Sequence, residues 1–119
     1  PIPWTANGPS FGFSSGVAHL PQPIWFGHLA VSVQSGDEHS TLELYRRALR
    51  LRADLRGPDT LRWMATSPNV LGFARPNGWA SFTNFGATAE SIPEGTVLLS
   101  SGPVAGGLLD PNTTVWLQL

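Results

Sequence analysis

A chain of 119 residues, 41% hydrophobic and 13% charged, is sized for one folded domain and too poor in charge to be a disordered one. Its net charge of −1, with all seven basic residues Arg, gives no electrostatic basis for a nucleic-acid partner or an anionic membrane surface. Lacking cysteine, it has no disulfide framework and no thiolate site, as suits a cytoplasmic protein, and no apolar run nears the ~18 residues of a membrane-spanning helix.

From Pro1 to about Asp37 the sequence is aperiodic and rich in Gly, Pro, Ser and aromatic residues. Loops longer than ~15 residues within a compact domain are uncommon and usually functional. A disordered linker would lack Trp4, Phe11, Phe13, Trp25 and Phe26. The expectation is therefore a long ordered loop packed through its aromatics. Inside it LAVSVQ, residues 29–34, alternates apolar and polar positions and reads as a short extended segment.

The next element carries the strongest local signals. Ser40 and Glu43 have capping-box spacing, so the Ser hydroxyl can accept the Glu amide while the carboxylate reaches back to the Ser40 N–H. Asp37 and Glu38 place negative charge near the positive helix end. Leu42, Tyr45, Ala48, Leu49 and Leu55 fall on one broad face, widened by Leu44 and Leu51, with the Arg residues mostly opposite. Gly57 as a left-handed cap and Pro58 as a breaker end the pattern. The spacing predicts a helix over 41–55.

Beyond Pro58 the chain reads as strands. LRWMA (61–65), VLGFAR (70–75), WASFTNF (79–85), AESI (89–92), TVLLS (96–100) and TTVWLQL (113–119) are short and bounded by turn residues. Pro76-Asn77-Gly78 marks a hairpin whose Asn-Gly pair supplies positive φ, and residues 102–112 read as a Gly-rich loop. Five or six antiparallel strands make a small sandwich or barrel. The fold class is thus α+β: an aromatic loop and one amphipathic helix over residues 1–57, then an all-β domain over residues 58–119. So broad an apolar helix face exceeds what about 60 residues of β structure can cover. It predicts a partner surface outside this sequence and, without it, self-association.

No catalytic constellation emerges. His19, His28 and His39 match no zinc spacing and have no Cys beside them, so no metal site is expected. Ser, His and Asp occur without a G-x-S-x-G elbow. SSGPVAGG (100–107) is Gly-rich but has no Lys and no following helix, as in a turn between strands. Asp37 and Glu38 are adjacent, and the start of the helix explains them. Trp63, Trp79 and Trp116 could stack on sugar rings, against a core role that large ring burial favours. No cofactor is implied.

The order of segments carries further information. PIPW, an aromatic loop containing FGF, then LPQP, then STLELYRRALRLRADL, then strands including Asn84-Phe85, resembles the C-terminal end of family 13 glycoside hydrolases, most of all the actinobacterial α-glucosidase and oligo-1,6-glucosidase branch. That branch has an R-x-P-x-x-W motif in the loop after the last strand of a (β/α)8 barrel, and Pro1 to Trp4 would be its second half. Many relatives have Met-Gln where this chain has Ile2-Pro3 and an acid in place of Thr5. The resemblance implies that YRRALRLR belongs to the last barrel helix and that residues from Leu61 form the C-terminal β domain. It implies a parent enzyme that cleaves α-glucosidic bonds with retention, through an Asp nucleophile, a Glu acid/base and a supporting Asp, its carboxylates roughly 5 Å apart. None of these three maps onto this sequence. Only Pro3 and Trp4 map near the site, Trp4 as a structural residue buried against the barrel. The partner implied is the rest of the barrel, and the 119-residue chain by itself is expected to be inactive.

Overall fold

The computed structural model describes residues 1–119, which fall into two units, Pro1–Leu49 and Arg50–Leu119. In the first, the long loop is ordered by 3₁₀ turns at Pro9–Gly12 and Ile24–Leu29. Ser10 and Phe11 take left-handed conformations at φ 47° and 49°, ahead of Gly12 at φ 75°. Such backbone in non-glycine residues costs on the order of 1–3 kcal/mol each and persists only where neighbours enforce it. Here the Phe11 carbonyl accepts the Trp4 and Thr5 amides at 2.8 and 3.0 Å. Its ring lies 6.3 Å from Phe26, which in turn meets Trp25 edge-on at 4.6 Å.

Residues 29–34 are not extended. Val31–Gln34 forms a single helical turn, α1. The Val31 and Ser32 amides donate to the carbonyls of Pro3 and Trp4, both at 3.0 Å. These distant acceptors satisfy the first amides of the turn, which no helix can satisfy internally.

The long helix α2 spans Thr41–Asp54. Ser40 Oγ accepts the Glu43 amide at 3.2 Å, as the capping box requires. The reciprocal half is different: Glu43 accepts from the Gly36 amide at 3.0 Å and pairs with Arg46 at 2.6 Å. The Ser40 N–H donates instead to Asp37 O at 2.9 Å. Because α1 ends at Gln34, the turn after it brings Gly36 within reach of the carboxylate.

The second unit contains eight strands: β1 Arg62–Trp63, β2 Val70–Ala74, β3 Trp79–Asn84, β4 Glu90–Ser91, β5 Thr96–Ser100, β6 Val104–Ala105, β7 Leu108–Leu109 and β8 Thr114–Gln118. A five-stranded sheet has the order β1-β2-β3-β8-β5, and a three-stranded one the order β4-β7-β6. All their pairings are antiparallel. Val70, Ala80, Phe82, Val115 and Leu117 of the large sheet cluster with Leu109 of the small one, ringed by Met64, Ala74, Ile92 and Val104. Gly72 makes room for Phe82, since a Cβ there would lie 2.9 Å from two atoms of the ring. Fully buried Asn84 joins the end of β3 to the small sheet: its Nδ2 donates to Thr88 O and Leu109 O, each at 2.8 Å, and its Oδ1 accepts the Gly86 amide.

Three sequence expectations are revised in this unit. Residues 102–112 contain the β6–β7 hairpin, turned by Gly106 and Gly107 at φ 60° and 70°. In Pro76-Asn77-Gly78 only Gly78 has positive φ, at 78°. The Gly78 amide closes a turn onto Arg75 O at 3.1 Å, which is a three-residue loop with Pro in its favoured place and Gly at the left-handed position. Gly57 is not left-handed. The end of α2 is capped from the β2–β3 hairpin, where Asn77 Nδ2 donates to Leu55 O at 3.2 Å and Arg56 O at 2.6 Å. A Cβ on Gly57 would lie 2.6–2.9 Å from the Asn77 amide group, so glycine is needed there for close approach.

Candidate functional site

In the first unit, the peptide carrying Pro3 and Trp4 is held from two sides. The Phe11 carbonyl takes the Trp4 amide, while the carbonyls of Pro3 and Trp4 take the first two amides of α1. Gly27 lets this stretch pass close by, because a Cβ there would collide with the Ala6 carbonyl. The backbone of Pro3 and Trp4 is thereby fixed, while the Trp4 side chain remains 49% exposed. In the same unit Ile2, Leu29, Val31, Leu42 and Tyr45, with Gln34 and Thr41, line a mainly apolar groove of about 420 Å³. No residue of α2 is buried, and Tyr45 and Leu49 are 64% and 62% exposed.

In the second unit, strand register brings the three candidate tryptophans to one face of the large sheet. Trp63 faces Phe73, Phe73 faces Ser81, Ser81 faces Trp116 and Trp116 faces Leu99. Trp79, two residues before Ser81, lies on the same face. This face is opposite the one that sends Ala80, Phe82 and Leu117 into the core. The rings form a chain: Trp63 to Phe73 at 6.2 Å and 85°, Phe73 to Trp79 at 6.4 Å and 66°, Trp79 to Trp116 at 5.1 Å and 44°. These are edge-on and tilted contacts of a packed array, the geometry that ring quadrupoles favour, and not a coplanar platform. Trp79 is only 7% exposed, and its buried Nε1–H has no acceptor. Trp63, on the edge strand, is 64% exposed and alone in the chain of rings offers an open face.

Ionisable groups do not converge on reactive geometry. Nowhere do three His, Asp or Glu side chains gather as a metal-holding group. Asp37 Oδ1 accepts the His39 amide at 3.0 Å, and Glu38 lies 3.7 Å from His39 Nε2 at the surface, so both acids serve the turn that precedes α2. A cavity of about 400 Å³ at the hairpin end of the large sheet is lined by Leu61, Arg62, Arg75 and Leu119, with Arg75 reaching Asp59 at 3.5 Å. No helix is long and apolar enough to cross a membrane.

Sequence reasoning missed Asn77 as a cap and Asn84 as a buried bridge. Asn77 reaches carbonyls more than twenty residues away, and Asn84 adds to its near partners Thr88 and Gly86 the carbonyl of Leu109, 25 residues on, so no local pattern announces either contact. The β6–β7 hairpin had a usable signal in Val-Ala-Gly-Gly-Leu-Leu, a Gly-Gly pair between apolar residues.

No protein-family model matches the sequence, and no curated protein matches it. Solved structures do. A variant of the trehalulose synthase MutB in complex with Tris aligns with TM-score 0.76 and 19% identity over 100% of this chain and 25% of its own. The inactive double mutant of MutB aligns with TM-score 0.78 and 18% identity over the same shares. The chain has the fold of a segment of that synthase. It spans about a quarter of MutB's length. A candidate α-amylase from Salmonella typhimurium matches more loosely, with TM-score 0.52 and 20% identity over 67% of this chain and 17% of its own.

Proposed function

We propose that this chain is the non-catalytic C-terminal portion of a retaining family 13 glycoside hydrolase of the α-glucosidase type, acting on short α-glucosides. Residues 1–57 would supply the last loop and helix of its (β/α)8 barrel, and residues 58–119 the β domain that steadies the barrel. The observation that carries this reading is the alignment of the whole chain with a quarter of a trehalulose synthase. The ordered segments from PIPW to the β strands support the same assignment. So do the open apolar side chains of Trp4, Tyr45 and Leu49, which suit a surface laid on more protein. In this role the strained Ser10–Gly12 turn holds the Pro3–Trp4 peptide at the rim of a barrel, where active sites of that architecture lie. The nucleophile, acid/base and supporting carboxylate belong to the rest of the enzyme.

The direct test is an assay of the purified 119-residue chain on p-nitrophenyl α-glucoside. No turnover is expected; hydrolysis that follows the chain through purification would contradict the proposal. A second reading, an autonomous carbohydrate-binding module, draws on one observation, the open ring of Trp63. Saturable quenching of Trp fluorescence by maltooligosaccharides, lost in Trp63→Ala, would favour it over the structural role.

A further inference from the structure

We propose that Asn77-Gly78 is a site of spontaneous deamidation, held in check by the contact between this hairpin and the end of α2, and that the product acid undoes that contact. The chemistry is intramolecular. After loss of its proton to solvent base, the Gly78 nitrogen attacks Asn77 Cγ. The new C–N bond closes a five-membered succinimide, the Cγ–Nδ2 bond breaks, and Nδ2 takes up a proton from solvent, replacing the one lost from Gly78, and leaves as ammonia. Water then opens either carbonyl of the ring to give aspartate or isoaspartate, with no change in oxidation state. Glycine favours the attack because it has no side chain beside the attacking nitrogen.

The structure restrains both reacting groups. Asn77 Nδ2 donates to Leu55 O and Arg56 O. The Gly78 N–H is committed to Arg75 O at 3.1 Å. The Gly78 carbonyl is fixed as well, accepting from the Leu119 amide and from Gln118 Nε2, each at 2.9 Å. Attack therefore requires the hairpin to open locally. Asn77 is exposed, so water is at hand when it does. Conversion of the amide to a carboxylate removes the side-chain donor to these two carbonyls and sets an anion against them at the negative end of a helix. The acid cannot restore the contact that the amide made.

The test is peptide mapping of residue 77 during incubation of the full 119-residue chain at mildly alkaline pH, native and in urea. The native chain should deamidate at this residue at least about tenfold more slowly, the protection given by a local opening of ~1.4 kcal/mol. Asn77→Asp should unfold at lower urea than wild type, whereas Asn77→Ser, which keeps a neutral donor, should lose less. Equal rates in native and unfolded chains, or an Asn77→Asp variant as stable as wild type, would overturn the proposal.

Discussion

Gly57 and Asn77 form a matched pair: the Asn77 amide reaches the last carbonyls after α2 only because residue 57 has no side chain, a Cβ there lying 2.6 Å from Oδ1 and 2.7 Å from Nδ2. Gly57→Ala and Asn77→Ala should each lower stability by about 1 kcal/mol, the scale of a lost cap or hydrogen bond. The two should not add, because either change breaks the same contact. Urea unfolding of both single variants and the double variant measures the coupling; strict additivity would separate the two residues.

Gly72 stands over Phe82 in the core. Gly72→Ala forces the ring or β2 to move, an overpacking penalty of about 1–3 kcal/mol. Phe82→Ala should cost about 3–5 kcal/mol by leaving a cavity. Thermal or urea unfolding gives both values, and a neutral Gly72→Ala would mean that the space beside the ring is freer than the contacts indicate.

Asn84 bridges β3 and the small sheet from a fully buried position. Asn84→Leu removes the donor to two carbonyls and should destabilise by about 2 kcal/mol or more despite its apolar side chain. Protection of amides around Leu109 in hydrogen exchange should fall along with global stability. Unchanged exchange there would deny Asn84 its bridging role.

Tyr45 and Leu49 are the most open apolar side chains of α2. The isolated chain is expected to self-associate through such residues. Sedimentation velocity across a range of concentrations should show association that Tyr45→Lys with Leu49→Glu reduces. A strictly monomeric wild-type chain at high concentration would contradict this.

The parts of the fold legible in the sequence are those governed by neighbours in the chain. The helix expected over 41–55 is observed at Thr41–Asp54 because its Ser40 cap, its apolar spacing and the breaker Pro58 lie within twenty residues. The strands from Val70, Trp79, Thr96 and Thr114 also appear where short runs bounded by turn residues place them. What escaped depends on distant partners. Residues 31–34 turn helical because the carbonyls of Pro3 and Trp4 receive their amides. Gly57 carries the shape of an amide twenty residues away rather than a left-handed φ. For the candidate site, Trp63, Trp79 and Trp116 could be picked out by residue type, but only strand register shows that they share a face. Only packing shows that Trp79 is enclosed while Trp63 stands open.

The reading frame encoding the residues immediately before Pro1 is the most direct test of the C-terminal-segment proposal. If the chain closes a family 13 barrel, the frame continues upstream, with an Arg codon two positions before Pro1 and the catalytic carboxylates farther back. A start codon adjoining Pro1, or an upstream frame with no Arg at that position and no barrel sequence, would contradict it.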